Sequence, residues 1–253
     1  DRSPSRGLGD VYKRQCTDSR IYFDCIHMAS RKASGADAFK GTPLGRLVFR
    51  LSGADLLPKH TSNVRMLCTG ERTGCAYSYS WCTLERGPAK LKSHIVVLKG
   101  KGRNAYGKSN ELISDEIALR GCARALQGGG AYYGVEVPQG DPDFNTVLAV
   151  PVRGAGKGTS RLAILTGIAY TSPSTRRMIL QDHAVIGVLE RPSRSASLPE
   201  GQPNDAQDVV VSQLVDALVH SKNLIKISSC GEMFASGQTS AVSCRFVPSP
   251  VAR

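Results

Sequence analysis

The sequence predicts a mainly β fold, in an element order compatible with a barrel closed on itself and capped at both ends by helices. Three observations carry this. Short β-branched runs recur along the chain, only two stretches show helical signals, and 13 Pro and 26 Gly with 6% aromatic residues mark many turns around a modest core. At 253 residues and 41% hydrophobic content the chain can bury one sizeable core, so a single domain with long insertions is expected.

Arg20 to Cys25 (RIYFDC) is a β-branched and aromatic run, followed by a polar, Gly-containing stretch to Gly41 that reads as a loop. Along Gly45 to Leu51, Leu47, Phe49 and Leu51 fall on one face and Arg46, Val48 and Arg50 on the other, as in a half-buried strand. Pro58 to Cys68 opens with Pro, offers Thr61 and Ser62 as caps, places Val64 and Leu67 three residues apart, and stops at Gly70; it predicts a short helix. Residues 71–92 lack periodicity and read as an insertion before a buried strand at His94–Leu98. Later strands are predicted at Val147–Val152, Leu162–Leu165, Ala184–Leu189 and Leu224–Ser228. A second helix is expected after Asp208 as its cap, with Val211, Leu214, Val215 and Leu218 forming one apolar stripe.

The formal charge of +12 and pI near 9.5 favour acidic partners by long-range attraction. Basic clusters such as Leu98-Lys99-Gly100-Lys101-Gly102-Arg103 and Arg191 to Arg194 carry no aromatic interleaving for base stacking, and read as solvated loops. Eight cysteines (16, 25, 68, 75, 82, 122, 230, 244) include no Cys-x-x-Cys pair and no zinc-site spacing, so no metal is expected. Cys68, Cys75 and Cys82 recur every seven residues, open to a redox cluster or to buried thiols in a reducing compartment; the second is the simpler reading. No run approaches the ~20 apolar residues of a membrane span. Ser3 to Gln15 (SPSRGLGDVYKRQ) has the character of translated sequencing-adapter read-through, so the natural start is expected to be missing or replaced.

A family resemblance becomes specific at Pro43-Leu44-Gly45-Arg46-Leu47-Val48-Phe49-Arg50-Leu51 and at Leu57-Pro58-Lys59-His60-Thr61-Ser62-Asn63-Val64-Arg65-Met66-Leu67-Cys68-Thr69-Gly70-Glu71. Both resemble cyclophilins, in their second strand, first helix and Cys-Thr-Gly-Glu turn. Arg20–Cys25 resembles the family's first strand, His183-Ala184-Val185-Ile186-Gly187 its His-Val-Val-Phe-Gly strand, and Ile225–Met233 its closing strand. The resemblance implies a closed eight-stranded antiparallel barrel with two capping helices and long inserted loops. On this reading residues 1–19 are an unreliable or disordered N-terminal segment, and 20–233 the cyclophilin-like domain, with insertions near 26–42, 72–146 and 190–208. Residues 234–253 form a C-terminal tail.

The family isomerises X-Pro bonds across a barrier of ~18–20 kcal/mol, with an Arg at the twisting amide and an aromatic-floored ring pocket. If Ser93–Gly100 is the segment that carries this Arg, the position holds Ile95 or Val96 and the cation is lost. A second alignment, with a one-residue deletion, places Leu119-Arg120 before Ala125-Leu126-Gln127-Gly128-Gly129 and retains Arg120 and Gln127. Gly158–Ile164 lies where the family has Asn-Gly-Ser-Gln-Phe-Phe-Ile, which puts Ala163 where the floor Phe is expected and Arg161 at the Gln, and the strand before it offers Val152 in place of the backbone-binding Asn. Gln127, Leu180 and His183 are then the remnants of the substrate site, with His183 equally readable as a structural histidine.

Arg153–Thr159 suggests a phosphate loop, but Pro151 stands where its leading Gly is required. No nucleotide or other cofactor is expected. The reading that follows is a degenerate cyclophilin-like subunit of a larger assembly, intracellular, mitochondrial or ciliary, with other protein subunits as partners. An active isomerase using Arg120, and a ribosome- or RNA-associated component, are the alternatives.

Overall fold

Eight strands pair in a ring. The structure is a computed structural model and describes residues 19–28, 41–52, 56–70, 78–80, 82–87, 95–99, 117–118, 123–125, 131–153, 157–158, 161–190, 206–220, 225–233 and 239–240. The strands are β1 (Arg20–Met28), β2 (Gly41–Arg50), β3 (Thr83–Arg86), β4 (Ile95–Lys99), β5 (Ile117–Ala118), β6 (Ala123–Ala125) and β7 (Ala131–Gly134). They continue as β8 (Thr146–Arg153), β9 (Lys157–Gly158), β10 (Ala163–Thr166), β11 (His183–Leu189), β12 (Ile225–Met233) and β13 (Thr239–Ser240). The helices are α1 (Pro58–Thr69), α2 (Pro173–Gln181) and α3 (Ala206–His220). Following hydrogen-bonded neighbours gives β1-β2-β11-β8-β10-β4-β3-β12 and back to β1, every pair antiparallel. The closed eight-stranded antiparallel barrel expected from the sequence is the fold of the chain.

Alternation fills the ring. Ile21, Phe23 and Cys25 from β1, Leu47 and Phe49 from β2, Leu148 and Val150 from β8, and Ile225 and Ile227 from β12 share one buried cluster. Phe23 meets Phe49 and Tyr79 edge-on, with ring centroids 6.1 Å apart in both pairs. On the other face of β2, Arg50 is exposed and Arg46 reaches Asp24 with two hydrogen bonds of 2.7 and 2.9 Å.

The two predicted helices cap opposite ends. α1 packs Val64 and Leu67 into the core beside the end of β12. Its start differs from expectation, because Pro58 takes the first helical position and Leu57 the cap, which leaves Thr61 buried inside the helix. Gly70 ends it in the left-handed conformation, φ 74°, where its N–H bonds the Met66 carbonyl. α3 lies near the other end, with Val211, Leu214 and Leu218 buried and Val215 half-buried. Asp208, expected as its cap, stands inside the helix, which begins at Ala206. Its Val210 sits so close to Gly45 (φ 132°) that a Cβ there would lie 2.4 Å from Val210 Cγ2.

Four features depart from the sequence reading. β3, a member of the ring, comes from the stretch 71–92 read as an insertion without periodicity, whereas β4 is the strand expected at His94–Leu98. β7 adds to β11 in parallel and carries β6 beyond it. β13 pairs with β12 from what was read as the tail. A third helix, α2, lies on the outside of the barrel.

His60, in the first turn of α1, is buried with no hydrogen-bond partner at Nε2 among the described residues, and burial lowers its pKa to about 4. The unfolded chain therefore takes up a proton near the ordinary value of about 6.5 that the folded state refuses. Stability is fully present above pH ~6.5 and falls as pH drops toward 4. By urea unfolding, His60→Leu should lose about 2 kcal/mol less than the parent chain between pH 7 and pH 4.5; equal losses would sink this assignment.

Candidate functional site

The outward faces of four ring strands meet the residues that the sequence reading assigned to a substrate pocket. Ile95 and Val97 of β4, Ala163 and Leu165 of β10, Val147 and Ala149 of β8 and Val185 of β11 point away from the barrel interior, alternating with Val96, Ile164, Leu148 and Ala184, which point in. Cross-strand register sets Ala163 opposite Ala149 on one side and Val97 on the other. Two alanines side by side leave a depression in a sheet of larger residues.

That depression is filled. Ile179 and Leu180 of α2 belong to the same buried cluster as these strand residues, together with Ile168 and Val137. Ala149 and Ala163 have 0% exposure, and Ile179 and Leu180 at most 2%. α2 is held by short-range devices: Ser172 caps it by accepting from the Thr175 N–H, Pro173 occupies its first turn, and the Asp182 carbonyl accepts from the Val152 N–H at 2.8 Å.

His183 stands where α2 passes into β11. It is buried, and its Nδ1 lies 2.9 Å from the Ile179 carbonyl. A carbonyl can only accept, so Nδ1 carries the proton of a neutral ring. Burial lowers the His183 pKa, against smaller upward contributions from the Ile179 carbonyl and Asp182. A neutral imidazole is thereby tied to the preceding turn.

The other sequence-derived positions fall as follows. Leu180, in the last turn of α2, is buried in the cluster of outer-face residues. Val152 is half-buried and packs against the barrel core, and Arg161 is half-buried just before β10. Ile95 and Val96 are both buried and apolar, one facing out and one in, so neither supplies a cation. Arg120 and Gln127 lie outside the described residues.

One guanidinium that sequence reasoning passed over is Arg86, at the end of β3. It pairs in register with Val96, half-buried, and its Nε has no hydrogen-bond partner among the described residues. Glu85, on the opposite face, is in register with Val97. The signal in sequence was slight, a four-residue Thr-Leu-Glu-Arg run inside a stretch without periodicity.

Lys157 and Gly158 form β9 against β8 and β5, whereas a phosphate loop would open a helix there. No group of three or more His, Cys, Asp or Glu able to hold a metal is found among the described residues. No helix among them is long and apolar enough to cross a membrane. They carry 14 of the 33 Lys and Arg and 10 of the 21 Asp and Glu, so +8 of the formal +12 belongs to the remaining segments.

No protein-family model and no curated protein matches the chain. Among solved structures, the crystal structure of the Mimivirus cyclophilin is similar over 87% of this chain and 91% of its own, at 17% identity and a TM-score of 0.48.

Proposed function

We propose that this chain is a degenerate cyclophilin-like barrel that serves as a structural or protein-binding subunit of a larger assembly, with little or no prolyl isomerase activity. The observation that carries this is that Ala149 and Ala163, on the outer face of β8 and β10, have no exposure and share one buried cluster with Ile179 and Leu180 of α2. A proline ring needs a cavity of its own size beside the twisting amide, and the fully covered Ala149 and Ala163 leave none at the position of the expected floor residue. Loss of a preorganised donor such as the family's Arg costs ~10²–10³ in rate where comparable donors have been removed.

A protease-coupled assay on a proline-containing peptide tests the reading. The full chain should not accelerate isomerisation above the uncatalysed rate, and Arg120→Ala and Arg86→Ala should change nothing. Turnover that drops with Arg120→Ala would establish the active isomerase instead. The RNA-associated alternative is supported only by charge, most of which belongs to segments outside the described barrel. Binding to an RNA oligonucleotide that weakens steeply between 50 and 200 mM salt would favour that alternative. Purification of the chain with stoichiometric protein subunits would favour the assembly role.

A further inference from the structure

Four cysteines lie among the described residues, Cys25, Cys68, Cys82 and Cys230, all of them free and buried. Two of these meet. Cys68 is in the last turn of α1 and Cys230 is on β12, where its thiol reaches the backbone of Cys68. Cys230 Sγ donates to the Cys68 carbonyl at 3.4 Å and lies 3.8 Å from Ser80 Oγ, on a residue that is only partly covered. The other two thiols are occupied locally: Cys82 donates to the Ser78 carbonyl at 3.8 Å and Cys25 to the Phe23 carbonyl at 4.0 Å.

The four thus differ as nucleophiles. Hydrogen bonds from Cys68 and Ser80 favour the thiolate of Cys230 against the cost of its burial, and lower its pKa. Burial raises Cys68, and pushes Cys25 and Cys82 up to about 12. The thiolate is the reactive form, so Cys230 is the thiol of the set suited to attack, and Cys68 is the one placed to resolve the product.

We propose that Cys68 and Cys230 form a peroxide-responsive modification site, closing to a disulfide that staples α1 to β12. The Cys230 thiolate attacks the terminal oxygen of a hydroperoxide; the S–O bond forms, the O–O bond breaks, and the alcohol or water leaves with a proton. The Cys68 sulfur then attacks the Cys230 sulfenic sulfur, forming the S–S bond while the hydroxyl leaves with the Cys68 proton as water. Two thiols lose two electrons and the peroxide gains them. The site does not depend on whether the barrel isomerises proline.

The test uses the full chain, reduced, freed of reductant and exposed to hydrogen peroxide under native conditions, then alkylated in denaturant and mapped by mass spectrometry. The expected product joins the peptides of Cys68 and Cys230, reverts with dithiothreitol, and forms at least about tenfold faster than oxidation at Cys25 or Cys82. In Cys68→Ser, dimedone should trap a sulfenic acid on Cys230. Oxidation of Cys25 or Cys82 ahead of the pair, linkage of Cys230 to any other cysteine, or a pair that stays reduced until the chain unfolds would each overturn the proposal. The map of the unsubstituted chain decides this even if Cys68→Ser does not fold.

Discussion

Ala163→Phe lowers the stability of the barrel by about 3 kcal/mol, near the top of the overpacking range, and confers no isomerase activity. The substitution restores the aromatic residue that the family resemblance expects at this position. In an open groove a phenyl ring would lie against the sheet and add apolar burial. Here Ala163 has no exposure, faces Ala149 and Val97 across the sheet, and shares its cluster with Ile179 and Leu180. A ring at that point displaces α2, and with it the turn that His183 and Asp182 hold through the Ile179 carbonyl and the Val152 N–H. Urea unfolding of the parent chain and the variant measures the difference. An unchanged or raised midpoint would mean that the face is open and that the proposed function rests on a misplaced helix.

Glu232→Ala costs about 3 kcal/mol by the same measurement, because the half-buried Arg65 guanidinium and the buried Ser19 hydroxyl both lose the carboxylate that accepts from them. Glu232 is buried on β12, accepts from Ser19 Oγ at 2.6 Å and from Arg65 Nη1 at 3.1 Å, and so ties α1 and the entry to β1 onto one strand. Removing the carboxylate leaves the Arg65 guanidinium, with side-chain exposure of 26%, without this compensation. Arg46→Ala is the contrasting case. It breaks two short hydrogen bonds to Asp24, yet that pair is largely solvated, at 42% and 28% side-chain exposure, and its loss should cost no more than about 1 kcal/mol. Equal costs for the two variants would show that burial does not set the strength of these pairs.

Elements whose burial is one-sided were legible from their period, and strands buried on both faces, such as β8, β10 and β11, from their short β-branched runs. Leu47, Phe49 and Leu51 alternate with Arg46, Val48 and Arg50 because β2 has an inner and an outer face, and the α3 stripe is read in the same way. β4 gives no inner-outer contrast, since Ile95 packs outside and Val96 inside, and was found at His94–Leu98 from its apolar run alone; β3 has only four residues in which to show a period and was missed. α2 announced its start through Ser172-Pro173, but Arg176 and Arg177 interrupt the apolar pattern and only Ile179 and Leu180 are buried. The site was legible in part for the same reason. Ala163, Leu180 and His183 were found as positions, while the helix that turns them into core required the third dimension.

The pairing of β1 with β12 has a consequence for biogenesis. Ile21 lies opposite Glu232, so one edge of the first strand, whose other edge β2 covers early, stays open until β12 has been made. A nascent chain halted before Ile225 holds β1 and β3 with unpaired edges, a template for sticking to other chains. Such long-range closure puts completion of the ring after the synthesis of β12, on the slow side of single-domain folding, with an edge in need of protection until then.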